Sequence, residues 1–221
     1  MGLSDLTPEV IVIGGGVAGL RAGVRLARGG ARVLVLEARS RLGGRATAFA
    51  DRETGERVDN GQHVLLGCYR ETLEFLGEID AADRVHRQPR LTVTMIDRNS
   101  GKRPLRASAL LPAPLHLVGG VCGWSALSWR DRVAVLRLAG PIRAAWRASV
   151  RQHVSIAQSE ETVAEWLTRH GQTPRLREML WDPLALAALN QPADVASATT
   201  FVRVLGEMFG GRDPHAAALV L

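Results

Sequence analysis

The stretch that decides the fold is Val10-Ile11-Val12-Ile13-Gly14-Gly15-Gly16-Val17-Ala18-Gly19, followed downstream by a second apolar run, Val33-Leu34-Val35-Leu36, that ends on Glu37. Four consecutive β-branched residues predict a parallel strand buried on both faces. Leu20, Val24 and Ala27 then recur at helical spacing until Gly29-Gly30 stops the helix, and the second apolar run predicts a second buried strand. Gly14, Gly16 and Gly19 stand as G-x-G-x-x-G between strand and helix. Gly14 permits the tight turn, Gly16 lets the main chain approach a pyrophosphate, and Gly19 lets the helix pack closely on the strand. The helix start offers free N–H groups and the positive end of its dipole to phosphate. Glu37 stands where an acid accepts hydrogen bonds from the ribose hydroxyls of an adenosine, and an acid there disfavours a 2′-phosphate. The expected fold is α/β, a Rossmann-like βαβ nucleotide-binding domain.

Working outward, Arg41-Leu42-Gly43-Gly44-Arg45 forms a second glycine loop directly after the acid, where a plain dehydrogenase usually runs into another helix. Such a loop suits a cofactor phosphate or a flavin, with Arg45 as charge partner, and so favours FAD over NAD. The alternative is an exposed loop whose arginines only meet solvent. Next, Asp59-Asn60-Gly61-Gln62-His63 offers polar groups and, at Gly61, a place for close backbone approach. His63 is a weak catalytic candidate by position; as a residue type it is more often an ordinary hydrogen-bonded histidine.

Further along, residues 46–66 read as short strands joined by a turn at Glu53-Thr54-Gly55-Glu56, and residues 69–79 as an amphipathic helix. Residues 91–96 and 103–105 flank Asn99-Ser100-Gly101 as a hairpin, and the rest reads as helices near 129–150, 160–170, 174–181 and 194–209. Pro141, Pro174, Pro183 and Pro192 break or start these pieces. The pattern changes near 84–90, which divides the chain into an FAD-binding part, 1–85, and a partly helical substrate- and membrane-facing region, 86–221. The apolar run at 216–221, with no closing polar segment, gives the expectation of an N-terminal fragment with an incomplete second region.

Composition narrows the classes. The 221 residues are 46% hydrophobic and 23% charged, an ordinary globular balance. The net charge of +6 comes almost wholly from arginine, since Lys102 is the one lysine. The arginines are dispersed with few aromatics among them, which argues against nucleic acid. Cys68 and Cys122 form neither a metal-ligand spacing nor a disulfide framework, and the start of the chain shows no secretory signal, so a cytoplasmic setting fits.

These residues resemble a known family. The glycine motif, Glu37-Ala38-Arg39 and Leu42-Gly43-Gly44-Arg45 are similar to the opening of the amine oxidase and phytoene desaturase superfamily of FAD proteins. The segment from Asp59 through Tyr69, together with Leu111-Pro112-Ala113-Pro114-Leu115-His116-Leu117 and Trp181-Asp182-Pro183-Leu184, resembles the squalene-associated FAD-dependent desaturases, the hydroxysqualene dehydroxylases of bacterial hopanoid synthesis. Family members run well past residue 221 and carry a second FAD-contacting segment there. The resemblance implies FAD held by Gly14, Gly16, Gly19, Glu37, Ala38, Arg39, Gly43, Gly44, Arg45 and Gly61, and a reaction in which a hydride from the reduced flavin replaces an allylic hydroxyl. Its rivals are a carotenoid-type desaturase, which removes hydride from its substrate, an amine oxidase, and a truncated nucleotide-binding fragment without catalysis.

Residues 107–129 contain no Asp, Glu, Lys or Arg. Pro112, Pro114 and three glycines make this stretch a poor membrane-spanning helix. Leu110, Leu111, Leu115, Leu117, Val118 and Val121 would line a tunnel for a long isoprenoid, rest on lipid, or form ordinary core. The following helix carries Arg130, Arg132, Arg137, Arg143 and Arg147 with Trp129 and Trp146, a pattern shared by peripheral contact with an anionic membrane face and by a solvated basic surface.

Overall fold

A computed structural model describes residues 7–61, 64–98, 101–112, 115–150, 160–211, 213 and 215–220, and the chain divides into two compact units, Met1–Val64 and Leu65–Leu221. The first unit opens with β1 (Val10–Ile13), α1 (Val17–Arg28) and β2 (Val33–Leu36), with β1 and β2 paired in parallel from Val10↔Val33 to Ile13↔Leu36. Gly19 lets α1 lie on the sheet, because a Cβ there would meet the Gly14 carbonyl oxygen at 2.0 Å and the Val12 side chain at 3.3 Å. Gly23 on the same helix faces Val33 and Val35.

Burial of these strands differs from expectation. It alternates along both, and Ile13 is 87% exposed while Ile11, Leu34 and Leu36 are exposed as well. A strand buried on both faces needs a layer on each. Among the described residues, α1 covers the face of Val12, Val33 and Val35, and the other face stays open. After β2 the chain forms an antiparallel ribbon of β3 (Ala48–Ala50) and β4 (Arg57–Asp59), joined through the expected turn. Asp51 organises that turn by accepting from the amides of Glu53 and Thr54 and the Thr54 hydroxyl.

In the second unit, β5 (Leu65–Leu66) leads into α2 (Arg70–Glu78), which buries Phe75. The hairpin strands β6 (Thr92–Asp97) and β7 (Gly101–Arg106) pair antiparallel as the sequence predicts. Then follow α3 (Leu115–Cys122), α4 (Trp129–Leu136), α5 (Ala139–Val150), α6 (Val163–Arg169), α7 (Pro174–Leu176), α8 (Asp182–Leu189) and α9 (Ala198–Phe209). The single helix expected over 129–150 is thus two, divided at Arg137-Leu138. Capping boxes open α4 at Ser128 with Asp131 and α6 at Thr162 with Glu165, each acid accepting a hydrogen bond from the cap amide.

Two further elements depart from the sequence reading. Pro183 stands in the first turn of α8, one of the two roles expected of it, but the helical run expected to end at residue 181 continues to Leu189. Within that run, Arg177–Trp181 makes a π turn. The apolar run after Asp213 buries Ala216, Ala217 and Ala218 and ends in β8 (Leu219–Val220), antiparallel to β5 through Leu65↔Val220. That pairing and the Arg87↔Val220 bridge place residues 65–87 in the second unit. The compact units therefore part at Val64 and Leu65, earlier than the change of pattern near 84–90.

The core lies in the second unit. Trp166, Phe201, Leu167, Leu176 and Leu205 are fully buried between α6, α7 and α9, and Trp166 meets Phe201 edge to face at 6.5 Å between centroids. Helices α5 and α9 cross at Gly206, where a Cβ would stand 2.9 Å from the Trp146 amide nitrogen.

Candidate functional site

In the first unit, the main chain leaves β1 through Gly14 at φ +103°, a value that only glycine adopts without strain, and its amide donates to the Leu36 carbonyl at 2.7 Å. Gly16 is the N-cap of α1 and offers no side-chain acceptor to the first amides, which leaves the helix start able to meet water or an anion. The second glycine loop comes up beside it. Gly43 bridges Gly16, and the Gly43 amide donates to the Gly15 carbonyl at 2.8 Å. Gly43 and Gly44 both sit at positive φ, +102° and +63°.

Glu37 closes the arrangement. Its Oε2 accepts from the Gly15 amide at 2.7 Å and its Oε1 from the Arg39 amide at 3.0 Å. Those two N–H groups, Arg39 first, hold the carboxyl below the ordinary glutamate range against slight desolvation, with the Ala38 amide adding to them. Glu37 is therefore a carboxylate at neutral pH, fixed at the edge of the glycine turn and able to accept from hydroxyl groups.

Gly14, Gly16, Gly19, Glu37, Ala38, Arg39, Gly43 and Gly44 thus meet in one place. Arg39 joins through its main chain. Arg45 is exposed beyond the loop, while Arg41 turns back to donate to the Thr47 hydroxyl. Gly61 lies in a bend after β4, exposed, with open space where a Cβ would point. His63 and Gln62 lie outside the described residues. The sequence reading missed Gly15, whose amide anchors Glu37 and where a Cβ would displace the tip of the exposed Leu42 side chain and press on Glu37 at 3.2 Å. The signal was the unbroken run Gly14-Gly15-Gly16.

The cradle fits the diphosphate and ribose of an adenine dinucleotide. A Cβ on Gly16 would have nothing nearer than the Gly44 Cα at 4.0 Å, so the space beside the helix start is open. An uncapped helix start and a fixed carboxylate beside it suit an anion and a diol in that order.

The second unit holds an apolar cavity of about 320 Å³. Of the residues expected to line a tunnel, Leu115, Leu117, Val118 and Val121 do so. Leu110 and Leu111 instead face solvent, Leu110 at 93% exposure. Among the described residues, Trp181 and Phe209 are its aromatic members and Arg143, which is exposed, its one ionisable member. Cys68 supplies no nucleophile, because burial pushes its thiol up to about 11.

The basic stretch is less uniform than expected. Arg130 lies over the exposed Trp129 ring at 5.6 Å, and Arg143 and Arg147 are exposed. Arg132 donates to the Trp124 carbonyl and Arg137 reaches the Gly171 carbonyl. Trp146, expected at an interface, packs against Gly210 instead.

Comparison with known proteins adds the family. The model of the flavin containing amine oxidoreductases matches residues 17–210. A 15-cis-phytoene desaturase of Narcissus pseudonarcissus is 28% identical over 181 residues, 81% of this chain and 31% of that protein. A hydroxysqualene dehydroxylase of Zymomonas mobilis is 26% identical over 207 residues, 91% of this chain and 44% of that protein. Another, from Rhodopseudomonas palustris, is 43% identical over 70 residues, 32% of this chain and 17% of that protein. Among solved structures, putrescine oxidase bound to putrescine shares the fold with a TM-score of 0.60 at 17% identity, over 97% of this chain and 46% of that one. The chain spans less than half the length of each of these relatives.

Proposed function

The chain belongs to the family of flavin-containing amine oxidoreductases, and from that premise we propose that its first unit holds FAD by the adenosine diphosphate half while its second unit receives a long isoprenoid. The observation that carries the reading is Glu37, a carboxylate fixed on the Gly15 amide beside an uncapped helix start. The α1 amides and the Gly43-Gly44 loop would take the diphosphate, and Glu37 would accept from the ribose hydroxyls. When bound, the flavin supplies hydride transfer; this chain positions it and keeps water from an apolar substrate.

Hydroxysqualene dehydroxylation is the first choice of reaction, supported by the Zymomonas and Rhodopseudomonas relatives. Desaturation of a carotenoid precursor is the second, supported by the phytoene desaturase likeness. An amine oxidase is disfavoured: among the described residues the cavity carries Arg143 and no acid, a poor site for an ammonium group. The test is the absorbance spectrum of the purified chain with identification of any released cofactor. Flavin bands and released FAD are expected; a colourless chain that takes up no added FAD would overturn the assignment. Anaerobic turnover of hydroxysqualene or of phytoene by the loaded protein then decides the direction of hydride flow.

A substrate of that kind resides in a bilayer, and the second unit has a face suited to one. Trp129, Val133 and Leu136 stand exposed at helical spacing on α4, and Leu110, Leu111 and Leu115 are exposed as well. Between residues 107 and 148 the only acid is Asp131, which is buried, so the arginines of that segment meet no exposed carboxylate of their own stretch. Among the described residues no helix is long and apolar enough to cross a membrane. Contact would be peripheral, at an anionic cytoplasmic leaflet. Flotation with phosphatidylglycerol vesicles but not with phosphatidylcholine vesicles is expected; equal behaviour with both removes the basic contribution.

A further inference from the structure

The helical run from Pro174 to Leu189 would be regular but for the π turn at Arg177–Trp181. A π turn adds a residue to the helical register and recurs at functional sites. Its last two residues, Leu180 and Trp181, line the apolar cavity. Trp181 is buried, and its indole Nε1–H donates to Gln172 Oε1 at 2.9 Å. Gln172, buried too, donates through Nε2 to the Ala134 carbonyl at 2.8 Å and to the His170 carbonyl at 3.2 Å. Ala134 precedes Val135 and Leu136 on α4, which line the same cavity. The adjoining Thr173 hydroxyl donates to Asp131 Oδ1 at 2.5 Å, also on α4. Residues 172 and 173 therefore clasp two walls of the cavity, α4 and the π turn.

We infer that Trp181 limits the length of apolar chain the cavity admits, and that Gln172 is the positioning residue that holds its ring in the wall. This rests on the reading of the cavity as the seat of an isoprenoid. A volume of about 320 Å³ is small for a ligand pocket, so a bulky indole in the wall weighs heavily on what fits. Shortening Trp181 enlarges the cavity at that wall. Removing the Gln172 carbonyl leaves a buried indole N–H without its acceptor and frees the ring to leave its place. Every other cavity-lining side chain stays unchanged in either variant.

The experiment measures displacement of the neutral fluorophore N-phenyl-1-naphthylamine from the full 221-residue chain by farnesol, geranylgeraniol and squalene, delivered from cyclodextrin. Trp181→Leu is expected to shift the squalene-to-farnesol affinity ratio toward squalene by about tenfold or more. Gln172→Met shifts it the same way by less, and adds nothing in the Trp181→Leu background, as a residue acting through Trp181 must. An additive effect overturns the positioning role. An unchanged ratio in both single variants, with wild-type circular dichroism and a single melting transition, overturns the limit while the cavity reading stands. A wild-type chain that binds no fluorophore, or releases none to any isoprenoid, removes the cavity reading and this proposal with it. Should Trp181→Leu fail to fold, the ratio measured for Gln172→Met decides by itself: a shift toward squalene supports the limit, and an unchanged ratio overturns it.

Discussion

In Met1–Val64 the described residues that are buried are Gly15 and Gly23; in Leu65–Leu221 they include the fully buried side chains of Trp124, Trp166, Phe201, Leu138 and Leu167. The first unit is thus organised by main-chain hydrogen bonds around a turn, with Ile11, Ile13, Leu34 and Leu36 exposed on one face of its sheet. The second is organised by a core that excludes water from large side chains. A nucleotide cradle needs backbone approach and free amides, which glycine provides and a packed core does not. Such a unit gains stability from what it binds. The helical unit carries its own.

The largest effect tests the core. Phe201→Ala should cost about 3–5 kcal/mol, read as a lower midpoint in denaturant. A cost below about 1 kcal/mol would erase the contrast between the units. Next come two glycines of the first unit. Gly19→Ala drives a Cβ into the Gly14 carbonyl and should destabilise the unit by about 1–3 kcal/mol in hydrogen exchange. Gly16→Ala meets open space and should leave exchange unchanged while lowering FAD affinity. Equal behaviour of the two variants would mean that the turn serves folding and not ligand approach. Glu37→Gln should then lower FAD affinity by about tenfold, seen by flavin fluorescence titration, through loss of a charged acceptor.

A smaller effect follows acid. Burial of Asp131 raises its pKa, but hydrogen bonds from the Thr173 hydroxyl and from the Ser128 hydroxyl and amide outweigh that and hold it below the ordinary aspartate range. A depressed folded value contributes stability that is present above the unfolded pKa and is lost as pH falls through the folded one. The second unit should therefore lose stability below about pH 4, and Asp131→Asn should flatten that slope. The least effect belongs to the exposed Arg32–Glu9 pair at 3.2 Å: Glu9→Gln should change stability by less than about 1 kcal/mol.

What the sequence made legible was local. β1, α1 and β2 follow from an apolar run, a glycine turn and a helical period within thirty or so residues. The β6–β7 hairpin and α2 rest equally on near neighbours. The cradle was readable because its glycines answer to local needs: a positive φ at Gly14, open space at Gly16 and close helix-to-strand contact at Gly19. The Gly15–Glu37 bond was not, since any of the three consecutive glycines could have met the acid. The open sheet face was hidden because an apolar strand reads alike whether one side is covered or both. α8 escaped the reading because a proline such as Pro183 can end one helix or start the next, and here it stands at the start of α8. β8 was missed because its partner, β5, lies some 150 residues earlier in the chain.

That last pairing orders events during synthesis. A ribosome releasing about 5–20 residues per second has exposed the glycine turn, α1 and Glu37 long before Leu219 and Val220 leave the exit tunnel. Until they do, β5 has no partner strand, and the alanines at 216–218 are missing from the second unit's interior. The nascent chain therefore passes through a stage in which the residues of the cradle have emerged and β5 still lacks β8. A dinucleotide present at that moment would meet those residues before β5 and β8 pair.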